Sequence, residues 1–158
     1  MSIAYIALGA NLGDPAATVN AAFAALDQLP QSRLLATSAL YRTAPVGIAE
    51  QPEFVNAAAR VETTLAPEAL LDALLAIEQA FGRVRAERNG PRTLDLDILL
   101  YEDLTLVTPR LSLPHPRLHL RAFVLQPLAD LAPDLAIPGR GSIAAWLPAV
   151  ANQGICRL

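Results

Sequence analysis

The chain contains no lysine; all 12 of its basic residues are arginine. It has one cysteine, Cys156, and one tryptophan, Trp146, and aromatic residues make up only 5% of it. A single cysteine excludes an internal disulfide and a cysteine-ligated metal cluster, and favours a reducing, cytoplasmic location. Long apolar runs are also missing, although hydrophobic residues make up 53% of the chain. The longest uncharged stretch, Gly141 to Cys156, is broken by Pro148 and Gly154, whereas a membrane-spanning helix needs about 20 apolar residues without such breaks. No membrane partner is therefore expected. No Lys or Arg precedes Arg33, so no secretory leader is expected either. A net charge of −3 has the wrong sign for a general nucleic-acid binder.

A length of 158 residues suits one domain, spanning 1–158. Such a chain can bury roughly 68–70% of its unfolded surface, enough for a core without staples. Ser2–Ala10 is an apolar strand that ends at Gly9-Ala10-Asn11-Leu12-Gly13. Asp14-Pro15 opens a helix, with Asp as N-cap and Pro at the first position. Val19, Phe23, Leu26 and Leu29 form its apolar face, and Pro30 stops it. A second strand is expected over Leu34–Tyr41 and a third over Phe54–Thr63, with a Pro- and Gly-punctuated loop at 44–52 between them. Pro67 and Glu68 start a second helix that Gly82 ends. After an arginine-rich loop, 82–92, a fourth strand covers Thr93–Tyr101. A helix interrupted by Pro127 near Leu120–Leu131 and a short one near Ile143–Val150 finish the chain.

The order strand, helix, strand, strand, helix, strand is the α+β, ferredoxin-like arrangement, an antiparallel sheet with helices on one face. The other face is then available for a site. Alternate side chains of a strand share a face. In Thr93–Tyr101, Leu94, Leu96, Ile98 and Leu100 would face the helices, and Asp95 and Asp97 would emerge together on the open face. Their Cα atoms would lie roughly 6.6 Å apart. Paired carboxylates repel, and Asp is depleted in sheets. Magnesium removes that conflict, since it is commonly held by one or two carboxylates and substrate phosphates.

Arginine is not spread evenly. Arg83, Arg85, Arg88 and Arg92 immediately precede the two aspartates, and Arg110, Arg117 and Arg121 follow. Guanidinium forks suit phosphate oxygens. Cations for phosphates beside carboxylates for magnesium are the parts of phosphoryl transfer, which relies on positioning and charge stabilisation. Neither a Gly-x-x-x-x-Gly-Lys-Ser/Thr nor a Gly-x-Gly-x-x-Gly motif occurs, so any nucleotide is held by another device. On the residues alone two further classes stay open: another magnesium-dependent phosphotransferase releasing ADP, and a non-catalytic ferredoxin-like ligand-binding module.

Five words narrow the choice: Ala7–Gly13, Ser38–Pro45, Gln51–Ala57, Gly90-Pro91-Arg92-Thr93-Leu94-Asp95-Leu96-Asp97-Ile98, and Leu113-Pro114-His115-Pro116. In order and spacing, over residues 1 to about 135, they resemble the 6-hydroxymethyl-7,8-dihydropterin pyrophosphokinases of folate biosynthesis. The resemblance implies a single ferredoxin-like domain. It also implies attack of the pterin hydroxymethyl oxygen on the β-phosphorus of ATP, with AMP leaving. Asp95 and Asp97 would coordinate two magnesium ions bridging the ATP phosphates, with Arg85 and Arg92 as further catalytic groups. Glu78, Arg85, Arg92, Ile98, Arg110, Ser112, His115 and Arg121 match positions lining the nucleotide site. Thr43, Ala44, Val46, Phe54, Asn56 and Phe123 match positions around the pterin. Asn56 offers donor and acceptor groups to a pterin edge, and two phenyl rings suit its flat faces.

The chain departs from the family in having Asn89 where an aromatic is common and Pro116 where Tyr is common. No general base stands out. Asn11 with Gly9 and Gly13 reads as a tight turn or an active-site loop. Loops 44–52 and 82–92 are expected to act as lids that exclude water. The expected partners are small molecules, and the chain is expected to be a monomer.

Overall fold

The computed structural model describes residues 1–43, 53–82 and 94–158. The main sheet contains strands β1 (Ser2–Ala10), β2 (Ser32–Thr37), β3 (Tyr41–Thr43), β4 (Phe54–Thr63), β5 (Asp95–Tyr101) and β10 (Ile155–Arg157). Their order is β10-β3-β4-β1-β5, with β2 also paired to β4, and every pairing is antiparallel. Helices α1 (Pro15–Leu26) and α2 (Pro67–Ala80) make the two crossovers. This is the α+β, ferredoxin-like fold read from the sequence. Two small ladders, β6 (Leu106–Val107) with β7 (Ser112–Leu113) and β8 (Ala136–Ile137) with β9 (Gly141–Ser142), decorate it. Among the described residues no helix is long and apolar enough to cross a membrane.

Local chemistry sets the helix ends. Asp14 accepts a hydrogen bond from the Ala17 amide at 3.2 Å, and Pro15 occupies the first turn of α1. The helix stops at Leu26, short of Pro30, because Gln28 and Leu29 close onto Ala25 and Leu26 with tighter three-residue bonds. Gly82, at φ +80°, provides the left-handed residue that ends α2. One sheet face is then sealed by α1 and α2. Ile6, Leu8, Val61, Leu96 and Ile98 pack against Val19, Leu26, Leu70 and Leu74. Each such buried aliphatic side chain contributes about 1.5–3 kcal/mol.

Four expectations need correction. The strand expected over Leu34–Tyr41 is two strands, β2 and β3, parted at Ser38–Leu40. There Ser38 competes with the ladder: its hydroxyl accepts from the Ala58 amide at 2.8 Å and donates to the Ala39 carbonyl at 2.7 Å. Leu100 does not face α1 and α2. The β1–β5 register pairs Ile6 with Ile98 but Tyr5 with Leu100, so Leu99 is an extra residue in β5. Beyond this bulge the alternation reverses, sending Tyr101 into the α1/α2 core and Leu100 to the opposite side.

That opposite face is also not wholly available. Helix α3 (Ala122–Leu131) crosses part of it, burying Leu125 and Leu128 with Tyr5, Leu99 and Leu100. It begins at Ala122 and runs unbroken through Pro127, whose missing N–H leaves no amide to reach the Phe123 carbonyl. Packed against it, α4 (Ile143–Trp146) and the 3₁₀ turns Leu118–Leu120 and Leu147–Val150 complete a second core. Trp146 lies edge-on to buried His119, ring centroids 4.7 Å apart, and its indole N–H donates to the Arg140 carbonyl.

Candidate active site

What α3 leaves uncovered is one end of the second sheet face, and the register assembles the site there. Tyr41, Asn56, Gly9 and Asp95 form one row across β3, β4, β1 and β5. In the neighbouring row Ala58, Ala7 and Asp97 are side by side. Cross-strand partners share a face, so Asp95 and Asp97 emerge together, as the alternation required. Both are half-buried, and their strand neighbours are glycine and alanine, which leave the floor beside the carboxylates free of bulk.

Gly9 belongs to the interior of β1 and not to a turn; the turn is Asn11–Gly13, where Gly13 has φ +65°. A Cβ on Gly9 would come within 3.0 Å of Asn56 Oδ1. The missing side chain therefore makes room for the amide head of Asn56. That amide is buried, and its Nδ2 donates to Thr43 Oγ1 at 2.8 Å. The Thr43 hydroxyl, having accepted, keeps its own proton for another acceptor. Phe54 stands half-buried beside Thr43 in the register. On the other side, Phe123 lies in the first turn of α3 with the Arg121 guanidinium 5.3 Å from its ring centroid.

Among the described residues the outer edge of β5 carries no further strand. Two other groups satisfy it. The Leu96 amide donates to Glu78 Oε2 at 2.6 Å, with Glu78 buried on α2, and the Leu99 carbonyl accepts from the His115 amide at 2.9 Å. Ile98 keeps its side chain in the α1/α2 core. Its amide and carbonyl, two residues beyond the outward-facing Leu96 N–H, fall on this outer edge. His115 Nδ1 accepts from the Arg117 amide at 3.2 Å, which assigns the remaining ring proton to Nε2. Burial, helped by Arg121 and Arg117 and opposed by Asp95, pushes this imidazole down to about 4. It is neutral at physiological pH.

Thus His115, Arg121 and Asp95 are electrostatic neighbours, and Thr43 and Asn56 are bonded to each other across the row that ends at Asp95. Arg110 is tied by an ion pair to Asp72 of α2, which raises its pKa further. Ser112 pairs with Val107 in the β6–β7 ladder. Ala44, Val46, Arg85 and Arg92 lie outside the described residues, as do loop 44–52 and all but Gly82 of loop 82–92. Among the described residues no cluster of three His, Cys, Asp or Glu could hold a metal. Two carboxylates on one strand face do fit magnesium, which completes its octahedron with phosphate and water oxygens.

Sequence reading missed the role of Gly9 as floor. It also missed Asp130, whose carboxylate receives the Tyr41 hydroxyl. Nothing local signals that pair, 89 residues apart.

The family model for 7,8-dihydro-6-hydroxymethylpterin-pyrophosphokinase (HPPK) matches residues 5–133. The chain belongs to this HPPK family. It is 53% identical to the 2-amino-4-hydroxy-6-hydroxymethyldihydropteridine pyrophosphokinase of Pseudomonas aeruginosa, over 98% of this chain and 95% of that one. To the Haemophilus influenzae enzyme of the same name it is 44% identical, over 100% of this chain and 99% of that one. The crystal structure of Plasmodium falciparum HPPK-DHPS superposes with a TM-score of 0.73 at 16% identity, over 94% of this chain and 43% of that one. At that identity the likeness is one of HPPK fold. The family match stops before β8, so α4 and β8–β10 lie beyond it.

Proposed function

We infer that the row Asn56–Gly9–Asp95, with Thr43 bonded to the Asn56 amide, is the axis of the active site, running from the pterin to the phosphates. As a member of its family the chain is an ATP-dependent diphosphokinase. It transfers pyrophosphate from ATP to the hydroxymethyl group of 6-hydroxymethyl-7,8-dihydropterin, giving the pterin diphosphate and AMP, in folate biosynthesis. The single observation that supports the site reading is that Asn56 and Asp95 flank one glycine on one sheet face.

In this reading Thr43 and Asn56 address the polar edge of the pterin, helped by Ala44 and Val46, while Phe54 and Phe123 flank its rings. Asp95 and Asp97 would hold two magnesium ions, whose chemistry there would be charge neutralisation at the ATP phosphates. Arg85 and Arg92 stabilise charge that develops as the β-phosphorus passes between oxygens. Glu78, Ile98, Arg110, Ser112, His115 and Arg121 bound the nucleotide. Among these, His115 contributes a neutral Nε2–H donor, and Glu78 keeps β5 in place from beneath. The chain works as a single-domain, cytoplasmic monomer without a nucleic-acid or membrane partner.

The test combines the protein with ATP, magnesium and 6-hydroxymethyl-7,8-dihydropterin and quantifies AMP and ADP by chromatography. The expected outcome is pterin-dependent AMP, matched by pterin diphosphate and lost in Asp97→Ala. Full activity in folded Asp97→Ala would remove the metal-site reading.

A further inference from the structure

Helix α3 is anchored at both ends, and the two anchors belong to different walls of the site. Its N-terminal end carries Arg121 and Phe123 and lies toward β5, where Arg121 acts on His115 and His115 is bonded to Leu99. Its C-terminal end lies over β3 and β4. There the Tyr41 hydroxyl donates to both Asp130 oxygens, at 2.9 and 2.8 Å, and the Ala39 amide adds a third contact at 3.3 Å. Next to it the Arg60 guanidinium donates to the Leu131 carbonyl and to the Tyr5 hydroxyl. Tyr41 is buried, and burial together with Asp130 pushes its phenol up to about 12, so it remains a donor.

Tyr41 is also the cross-strand partner of Asn56, and two residues along β3 is Thr43, which holds the Asn56 amide. One side chain thus joins the strand that carries Thr43 to the helix that carries Phe123.

We propose that Tyr41 and Asp130 are positioning residues for the pterin: their link sets the separation and tilt of the Phe123 wall relative to Thr43, Asn56 and Phe54. The proposal rests on those four residues forming the pterin site. Without the link, α3 remains held by its apolar face and by Arg60, so the fold persists while the gap between the walls relaxes. The effect falls on pterin affinity, whereas the outer edge of β5 is untouched because it does not depend on β3.

The test measures binding of 6-hydroxymethyl-7,8-dihydropterin to the full chain, with magnesium and a saturating non-hydrolysable ATP analogue, and binding of the analogue alone. Steady-state kinetics and thermal melts accompany it. Tyr41→Phe and Asp130→Ala are each expected to raise the pterin Kd and KM about tenfold, the scale of one charge-assisted hydrogen bond. Analogue affinity and kcat stay within about twofold, because neither residue touches the reacting atoms. The double variant is expected to be no worse than either single one, and Asp130→Asn, which keeps an acceptor, to recover most of the affinity. Asn56→Ala is the control for the site itself. Weakened pterin binding in Asn56→Ala with wild-type binding in Tyr41→Phe would overturn the positioning role alone. Unchanged binding in Asn56→Ala would overturn the site reading and the proposal with it. Equal loss of pterin and nucleotide affinity in Tyr41→Phe would reduce the link to general stability and also overturn the proposal.

Discussion

The two faces of the main sheet are built to opposite rules. Against α1 and α2, the inward side chains along β1, β4 and β5 are mostly apolar, with buried Thr63 a polar exception on β4, and Ala4, Ile6, Val61 and Leu94 are fully enclosed. On the other face only the end beneath α3 is apolar; the remaining end presents Asn56, Asp95 and Asp97 around Gly9 and Ala7. A strand whose two faces were both like the second would gain little from folding, since paired carboxylates repel and a glycine packs nothing. Apolar side chains fill the α1/α2 face and the part of the other face under α3, which leaves the remaining end to keep groups that suit a ligand and do not suit a sheet.

This division can be broken from either side. Asp95→Ala is expected to lower kcat/KM by on the order of 10²–10³. Its melting temperature should fall far less than that of the corresponding core variant. Leu74→Ala, under the sealed face, should lose about 3 kcal/mol in urea unfolding while the folded fraction keeps its kcat. A large stability loss in Asp95→Ala, or a kcat collapse in folded Leu74→Ala, would show that the faces do not divide the work.

His115 sharpens the contrast at the border. Its imidazole sits near 4 in the fold, against about 6.5 in the unfolded chain. The unfolded state therefore takes up a proton first, and stability is lost as pH falls from about 6.5 to 4, then levels off. The loss should be on the order of 2 kcal/mol, since the ring is only partly enclosed, and His115→Gln should flatten that part of the pH–stability curve. The smallest effect concerns the floor. Gly9→Ala should raise the pterin KM by about tenfold, as its methyl group crowds Asn56, while shifting stability by less than about 1 kcal/mol. Unaltered pterin kinetics in Gly9→Ala would mean that the gap beside Asn56 is not part of the ligand's floor.

How far the sequence disclosed this depends on which forces are local. Strands β1 and β4 and the start of α2 were legible because uninterrupted apolar patterning or a proline marks them. Asp95 and Asp97 were legible because period-2 alternation survives from Leu94 to Ile98. From Ile98 to Tyr101 every residue is apolar or aromatic, so the pattern has no phase, and the bulge at Leu99 could not be seen. The break at Ser38 depends on a bond to Ala58, and the partial cover by α3 depends on contacts with strands far away in the chain. Tyr41 lay inside a recognisable word, yet its partner Asp130 lay in an ordinary helix. For Arg85, Arg92, Ala44 and Val46 the sequence remains the source of their assignment, since they lie outside the described residues.

The outer border of β5 has a consequence unrelated to catalysis. A bare strand border is a template on which a second chain can add its own strand, the first step toward aggregation. Here a buried carboxylate from α2 occupies the Leu96 amide, and the backbone of the His115 segment occupies the Leu99 carbonyl. Two of the positions that an intruding strand would need are already taken, and neither is taken by another strand. At this edge of the sheet those two backbone groups are not open to a second chain.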